Sequence, residues 1–261
     1  MPDKLNPDYS VLDDSMVLAH IFHPRPEDRS RKITDNDVLI PVADNVYIGA
    51  CFHLCDKQVS TILFFHGNGE IVSDYDELGK VYNRMGINFV VVDYRGYGRS
   101  TGSPSVSTML SDCHVVLAFV REYLVKNGFA GPLTIMGRSL GSASALELAS
   151  QADPGFENLI IESGFAHAGE LLKVLGIDPD IIHFKEAEGF ENLEKIKAWT
   201  GSTLIIHAQF DHIIPFSDGQ DLFDACPALD KCLLEIPGAN HNDIFMRGLN
   251  AYMEAVKKMV T

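Results

Sequence analysis

Short unbroken apolar runs alternate along this chain with longer stretches whose apolar residues recur at helical spacing. Thr61-Ile62-Leu63-Phe64-Phe65, Phe89-Val90-Val91-Val92, Leu133-Thr134-Ile135-Met136, Asn158-Leu159-Ile160-Ile161, Thr203-Leu204-Ile205-Ile206 and Cys232-Leu233-Leu234-Glu235-Ile236 read as short, mostly buried strands. Residues 38–54 differ: apolar and polar positions alternate around Ala43-Asp44-Asn45, which predicts a β-hairpin. Helices are predicted over residues 74–85, stopped by Gly86, and over 105–126, stopped by Asn127-Gly128. The second of these carries Val106, Met109, Leu110, Cys113, Val116, Leu117, Val120 and Leu124 on one face. Further helices fall at 142–149, near 216–223, and at the end, where Phe245, Leu249, Tyr252, Val256 and Val260 share a face. Strands alternating with helices imply βαβ units and a mostly parallel sheet, with the hairpin adding antiparallel edge strands.

Two segments break this rhythm. Residues 1–36 are polar, Pro24 and Pro26 interrupt regular structure, and the segment is expected to lie on the surface as a lead-in. Residues 165–200 are expected to form a small cap inserted between strands, with helices at 165–175 and 192–199 separated by Gly176 and Asp178-Pro179. No repeat, linker or low-complexity stretch divides the chain, so residues 1–261 are expected to be one α/β domain with helices on both faces of its sheet.

Composition narrows the function. The formal charge of −15 and pI near 4.9 disfavour nucleic acid, anionic membranes and strongly anionic substrates as partners. No apolar run is long enough to span or anchor in a membrane. Met1-Pro2-Asp3-Lys4-Leu5-Asn6 lacks the basic start and apolar core of a secretory signal. With an odd number of cysteines (Cys51, Cys55, Cys113, Cys226, Cys232), this favours a reduced, cytoplasmic protein. Cys51 and Cys55 have a spacing that raises metal binding, but no second Cys or His pair follows, and small apolar residues on one strand face explain them better. No metal or organic cofactor is implied.

The chemistry gathers where strands end. Gly137-Arg138-Ser139-Leu140-Gly141 lies between an apolar strand and a run of small helix-forming residues. This G-x-S-x-G context forces a strained turn that lifts a serine hydroxyl above the sheet. Ser139 is therefore the candidate nucleophile. Asp211, after the Leu204 strand, is the candidate acid, and His241, after the last strand, is the candidate base. Their order in the chain fits a serine–acid–histidine relay. Asp211 could instead be a turn or cap residue, His241 a surface histidine, His212 the base, or Glu162 the acid. The oxyanion donors would be the backbone N–H groups of Leu140 and of Asn68, in the Gly-rich loop His66-Gly67-Asn68-Gly69. Asp93-Tyr94-Arg95-Gly96-Tyr97-Gly98-Arg99-Ser100 reads as a brace under that loop, with Asp93 paired to Arg95 or Arg99.

Together, His66-Gly67-Asn68-Gly69, Asp93-Tyr94-Arg95-Gly96-Tyr97-Gly98, Gly137-Arg138-Ser139-Leu140-Gly141, the Asp211 loop and His241 resemble the α/β-hydrolase superfamily. The Phe22-His23-Pro24 lead-in is also similar to its Bem46-like and ABHD13/ABHD17-like serine hydrolase branch. The resemblance implies the α/β-hydrolase fold and hydrolysis of an ester, thioester or amide through an acyl-enzyme. Relatives with depalmitoylase activity carry a Cys-rich, lipid-modified N-terminus that this chain lacks, which points away from membrane-bound acyl proteins. Ala208 stands where relatives usually have glycine. The expected activity is a carboxylesterase or thioesterase acting on a small-molecule acyl substrate, with Phe165, Leu171, Leu172, Val174 and Leu175 covering an acyl pocket or packing as a core face. An aminopeptidase or amidase would need a pocket acid, for which Glu170, Glu186 and Glu188 are candidates. A non-catalytic receptor on the same fold is the alternative of another class.

Overall fold

The apolar runs become neighbouring strands of one sheet, and the segments between them become its helices. The computed structural model describes residues 9–261. The first elements are α1 (Ser15–Ile21), β1 (Asp37–Ala43), β2 (Val46–His53), β3 (Thr61–Phe65), α2 (Asp76–Arg84) and β4 (Asn88–Val92). Then come α3 (Val106–Lys126), β5 (Leu133–Arg138), α4 (Gly141–Ala149), β6 (Asn158–Glu162), α5 (Ala168–Val174) and α6 (Asn192–Ile196). The last are β7 (Ser202–Ala208), α7 (Phe216–Ala225), β8 (Lys231–Ile236) and α8 (Ile244–Val260).

The sheet has 8 strands in the order β1-β2-β4-β3-β5-β6-β7-β8. β1 pairs antiparallel with β2, and β2 antiparallel with β4; every other pairing is parallel. β3, β4 and β5 are buried along their whole length, as expected of parallel strands covered on both faces. Successive side chains alternate between two cores. Leu63, Phe65, Ile135, Leu159 and Ile205 pack on the side that carries α3 and α4. Ile62, Phe64, Met136, Ile160 and Leu204 pack on the side of Tyr82 from α2 and Tyr252 from α8.

Some expectations change. Part of the lead-in is not superficial: Leu12, Val17, Ile21 and Phe22 are buried. Asp14 caps the first turn by accepting from the Met16 N–H, and Val17 and Ile21, four apart, put one helix face against the core. Both prolines follow this helix and do not prevent it. The N-terminal hexapeptide lies outside the described residues. Cys55 lies beyond the end of β2 and is exposed, whereas Cys51 is buried within it, so the two do not share a strand face. The helices of the 165–200 segment are shorter than the pattern suggests: α5 begins only at Ala168, and α6 ends at Ile196. α8 is interrupted at Gly248, whose φ/ψ of −136°/22° leave the helical region. Leu249 consequently turns outward, at 43% exposed.

Candidate active site

Ser139 sits at the junction of β5 and α4 with φ 50°, a left-handed conformation that costs a non-glycine residue of order 1 kcal/mol or more. Two close backbone approaches flank it. A Cβ on Gly137 would lie 2.3 Å from the Gly141 carbonyl oxygen, and one on Gly141 would lie 2.1 Å from that of Phe65. Only glycine allows strand and helix to approach this closely. The Ser139 N–H donates to the Glu162 carbonyl at 2.9 Å, extending the β5–β6 ladder by one rung. The strained serine is thus held by the sheet on one side and by the helix start on the other.

His241 comes from the loop between β8 and α8. Its Nε2 lies 3.0 Å from Ser139 Oγ, and its Nδ1 lies 2.7 Å from Asp211 Oδ2. A carboxylate only accepts, so Nδ1 carries the proton and Nε2 is left to accept from the serine hydroxyl. Asp211 follows β7; its Oδ1 accepts from the backbone N–H groups of Ile213 at 3.0 Å and Ile214 at 2.8 Å. Burial alone would raise the Asp211 pKa, but the hydrogen bond and charge of His241 and these two N–H groups hold it below the ordinary value. The two loops are tied by Phe210 N–H to the Ala239 carbonyl, 2.8 Å, and by Gly238 N–H to Gln209 Oε1, 2.8 Å. Ser139, Asp211 and His241 are all nearly buried, at 9%, 9% and 4% exposure.

The other candidates lie elsewhere. His212 is exposed. Glu162 is buried and faces Arg138 and Tyr252 rather than His241: Arg138 Nε donates to its Oε1 at 3.0 Å, and the Tyr252 hydroxyl to its Oε2 at 2.7 Å. Asp93 is paired neither with Arg95, which binds Asp112, nor with Arg99. Its Oδ1 lies 3.2 Å from His66 Nε2 and accepts from the Val72 N–H at 2.9 Å. The segment still braces the loop. The Tyr94 hydroxyl donates to the His66 carbonyl at 2.6 Å, and the Tyr97 hydroxyl donates to Asn68 Oδ1 at 2.7 Å.

A cavity of about 250 Å³ opens onto Ser139 and His241, with Asn68 and Leu140 in its wall. Leu171, Leu172 and Leu175 of the 165–200 segment line it, with Phe190 and Ile213. The expected apolar cluster is therefore divided: Phe165 is in the core and Val174 is 52% exposed. Glu170, Glu186 and Glu188 are absent from the lining. Glu186 instead accepts from the N–H groups of Ala168 and Gly169, and Glu188 pairs with Lys185.

Among the lining residues that the sequence pattern gave no role are Ile21, His23, Glu70 and Arg138. The His23 N–H donates to Asn68 Oδ1 at 2.9 Å, so the N-terminal segment reaches the Asn68 loop directly. The one available signal was a charged Arg138 inside a motif whose geometry buries it.

Cys51, His53 and Asp76 bring three potential metal donors within 4.8 Å of one another. Arg31 already serves this cluster, donating from Nε and Nη2 to the two Asp76 oxygens at 3.0 Å each. Burial and the Asp37 and Asp76 carboxylates push the Cys51 thiol up to about 12, so it stays protonated beside this ion pair. An ion pair suits these groups better than a cation.

Residues 56–176 match the family described as Serine aminopeptidase, S33. Alpha/beta hydrolase domain-containing protein 17B of Xenopus tropicalis is 31% identical over 220 residues, covering 82% of this chain and 71% of that one. The chain belongs to the alpha/beta hydrolase family, in its domain-containing protein 17 branch. The human 17B protein is likewise 31% identical over 220 residues, with the same coverage of 82% and 71%. The alpha/beta hydrolase fold extends further: the ferulic acid-bound structure of Est1E from Butyrivibrio proteoclasticus superposes with a TM-score of 0.69 at 17% identity, over 85% of this chain and 96% of that one. Among the described residues, no helix of this alpha/beta hydrolase is long and apolar enough to cross a membrane.

Proposed function

We propose that this protein is a serine hydrolase that cleaves carboxylic esters or thioesters through an acyl-enzyme. The observation that carries the reading is the continuous Asp211–His241–Ser139 relay, with steps of 2.7 and 3.0 Å. His241 Nε2 takes the Ser139 proton as Oγ attacks the acyl carbon, and Asp211 stabilises the imidazolium that results. The Leu140 and Asn68 N–H groups receive the oxyanion, aided by the positive end of α4. On collapse His241 returns the proton to the departing oxygen or sulfur, and water then hydrolyses the acyl-serine by the same relay.

The substrate is a small molecule whose acyl chain lies along Leu171, Leu172 and Leu175. An aminopeptidase or amidase reading draws on the description of the matching family. It is the less favoured one, because the acid in the cavity wall, Glu70, is already bound by Arg138, Tyr75 and the Gly67 N–H. Residues 1–261 act as one hydrolase domain with 165–200 as its cap. A cytoplasmic setting suits the five free thiols.

An active-site serine probe labels the wild type and not Ser139→Ala. An unlabelled wild type would replace this reading with that of a non-catalytic receptor. On labelled protein, p-nitrophenyl esters turn over faster than aminoacyl anilides; the reverse order would select the peptidase.

A further inference from the structure

Arg138 is the one charged side chain in Gly137-Arg138-Ser139-Leu140-Gly141, and its side chain is only 10% exposed. Burying a guanidinium is costly unless every arm finds a partner. Here each nitrogen does. Nε donates to Glu162 Oε1 at 3.0 Å, Nη1 donates to Glu70 Oε1, and Nη2 donates to the His241 carbonyl at 2.9 Å. Its pKa stays above the ordinary arginine value: burial lowers it, but the Glu70 and Glu162 carboxylates outweigh that.

These partners are not a random set. Glu70 closes the oxyanion loop on itself, its Oε2 accepting from the Gly67 N–H at 2.7 Å and the Tyr75 hydroxyl at 2.5 Å. The carbonyl of His241 belongs to the main chain of the proposed base. The same guanidinium is attached to the residue before the proposed nucleophile. A Cβ on Gly67 would come within 2.7 Å of Arg138 Nη1, so the loop sequence leaves room for this side chain.

We infer that Arg138 is a positioning residue that locks the Asn68 loop and the His241 backbone in register with Ser139. The inference rests on the serine hydrolase reading above. A planar fork can hold three partners in fixed directions, which a lysine cannot. Displacement of a reacting group by about 1 Å costs on the order of 10²-fold in rate, with little effect on ground-state binding.

The test compares wild type, Ser139→Ala, Arg138→Gln, Arg138→Lys and Glu70→Gln on one p-nitrophenyl ester, with kcat and KM separated. Arg138→Gln lowers kcat about 10²-fold and leaves KM within about twofold. Arg138→Lys recovers part of that loss, and Glu70→Gln, which frees the loop alone, lowers kcat about tenfold. If Arg138→Gln does not fold, the lysine and Glu70 variants decide: kcat losses of these sizes at constant KM support the clamp. A kcat within twofold of wild type in both variants, or a loss confined to KM, overturns it. A wild type without Ser139-dependent turnover removes the hydrolase reading itself, and the clamp with it.

Discussion

On the proposed ester or thioester reading, the size of the cavity should set the longest acyl chain accepted, and Leu172→Ala changes that size. An engineered cavity of about 150 Å³ accommodates benzene, roughly 25 Å³ per carbon. The cavity of about 250 Å³ beside Ser139 therefore has room for an acyl chain of about ten carbons. Up to that limit each methylene leaves water for an apolar wall, worth about 0.8 kcal/mol, or roughly fourfold in kcat/KM. From butyryl to octanoyl the gain is about 3 kcal/mol, or about 200-fold; beyond about ten carbons the curve flattens. Leu172 is buried in the wall, and truncation to alanine removes three carbons, about 75 Å³ on the same scale. The break should move to about thirteen carbons. The substitution also costs about 2–5 kcal/mol of stability, so urea unfolding must first establish that the variant is folded at the assay temperature. The assay is kcat/KM for p-nitrophenyl esters from acetyl to hexadecanoyl. A wild-type curve that climbs unbroken to hexadecanoyl, or a break that stays put in folded Leu172→Ala, would refute the assignment of this wall to the acyl chain.

Two further substitutions probe the relay and the scaffold. Asp211→Asn keeps an oxygen for the Ile213 and Ile214 N–H groups but can turn an amide N–H toward His241 Nδ1. It should lower kcat about 10⁴-fold with an unchanged circular dichroism spectrum, and near-normal turnover would mean another acid serves the base. Glu147 binds His114 of α3 at 3.1 Å and Lys195 of α6 at 2.7 Å. Burial would raise its pKa, but these partners bring it from 4.5 to about 2. A depressed carboxylate contributes stability above its unfolded pKa and loses it as pH falls through its folded one. Glu147→Gln should thus cost about 3 kcal/mol in urea unfolding at pH 7 and about 2 kcal/mol at pH 3.5. A deficit that is equal at both pH values would show that the carboxylate's charge is not what links these helices.

Much of the architecture is local information. An apolar run such as Ile62 to Phe65 can only be satisfied inside a sheet, and Gly137 and Gly141 around Ser139 prescribe a turn that few other residues permit. Placing the polar candidates at strand ends was enough to single out Ser139, Asp211 and His241, which the fold brings within hydrogen-bonding reach of one another. The helix at Ser15–Ile21 is also legible, from Asp14 and the Val17–Ile21 spacing, because both prolines lie beyond its end.

Partnership was not local. Glu162 and Asp211 both follow apolar strands and look alike in sequence, yet one faces Arg138 and the other His241. Asp93 has two arginines close by in the chain and binds His66 instead. Ile21 and His23 reach the cavity only because the N-terminal segment crosses the Asn68 loop. Sequence by itself determined which segments are strands and helices and which side chains stand at their ends, because hydrophobic period and backbone strain are properties of a few adjacent residues. The tertiary structure alone decided which of those side chains meet, because hydrogen bonds act over about 3 Å while their partners here lie 24 to 103 positions apart.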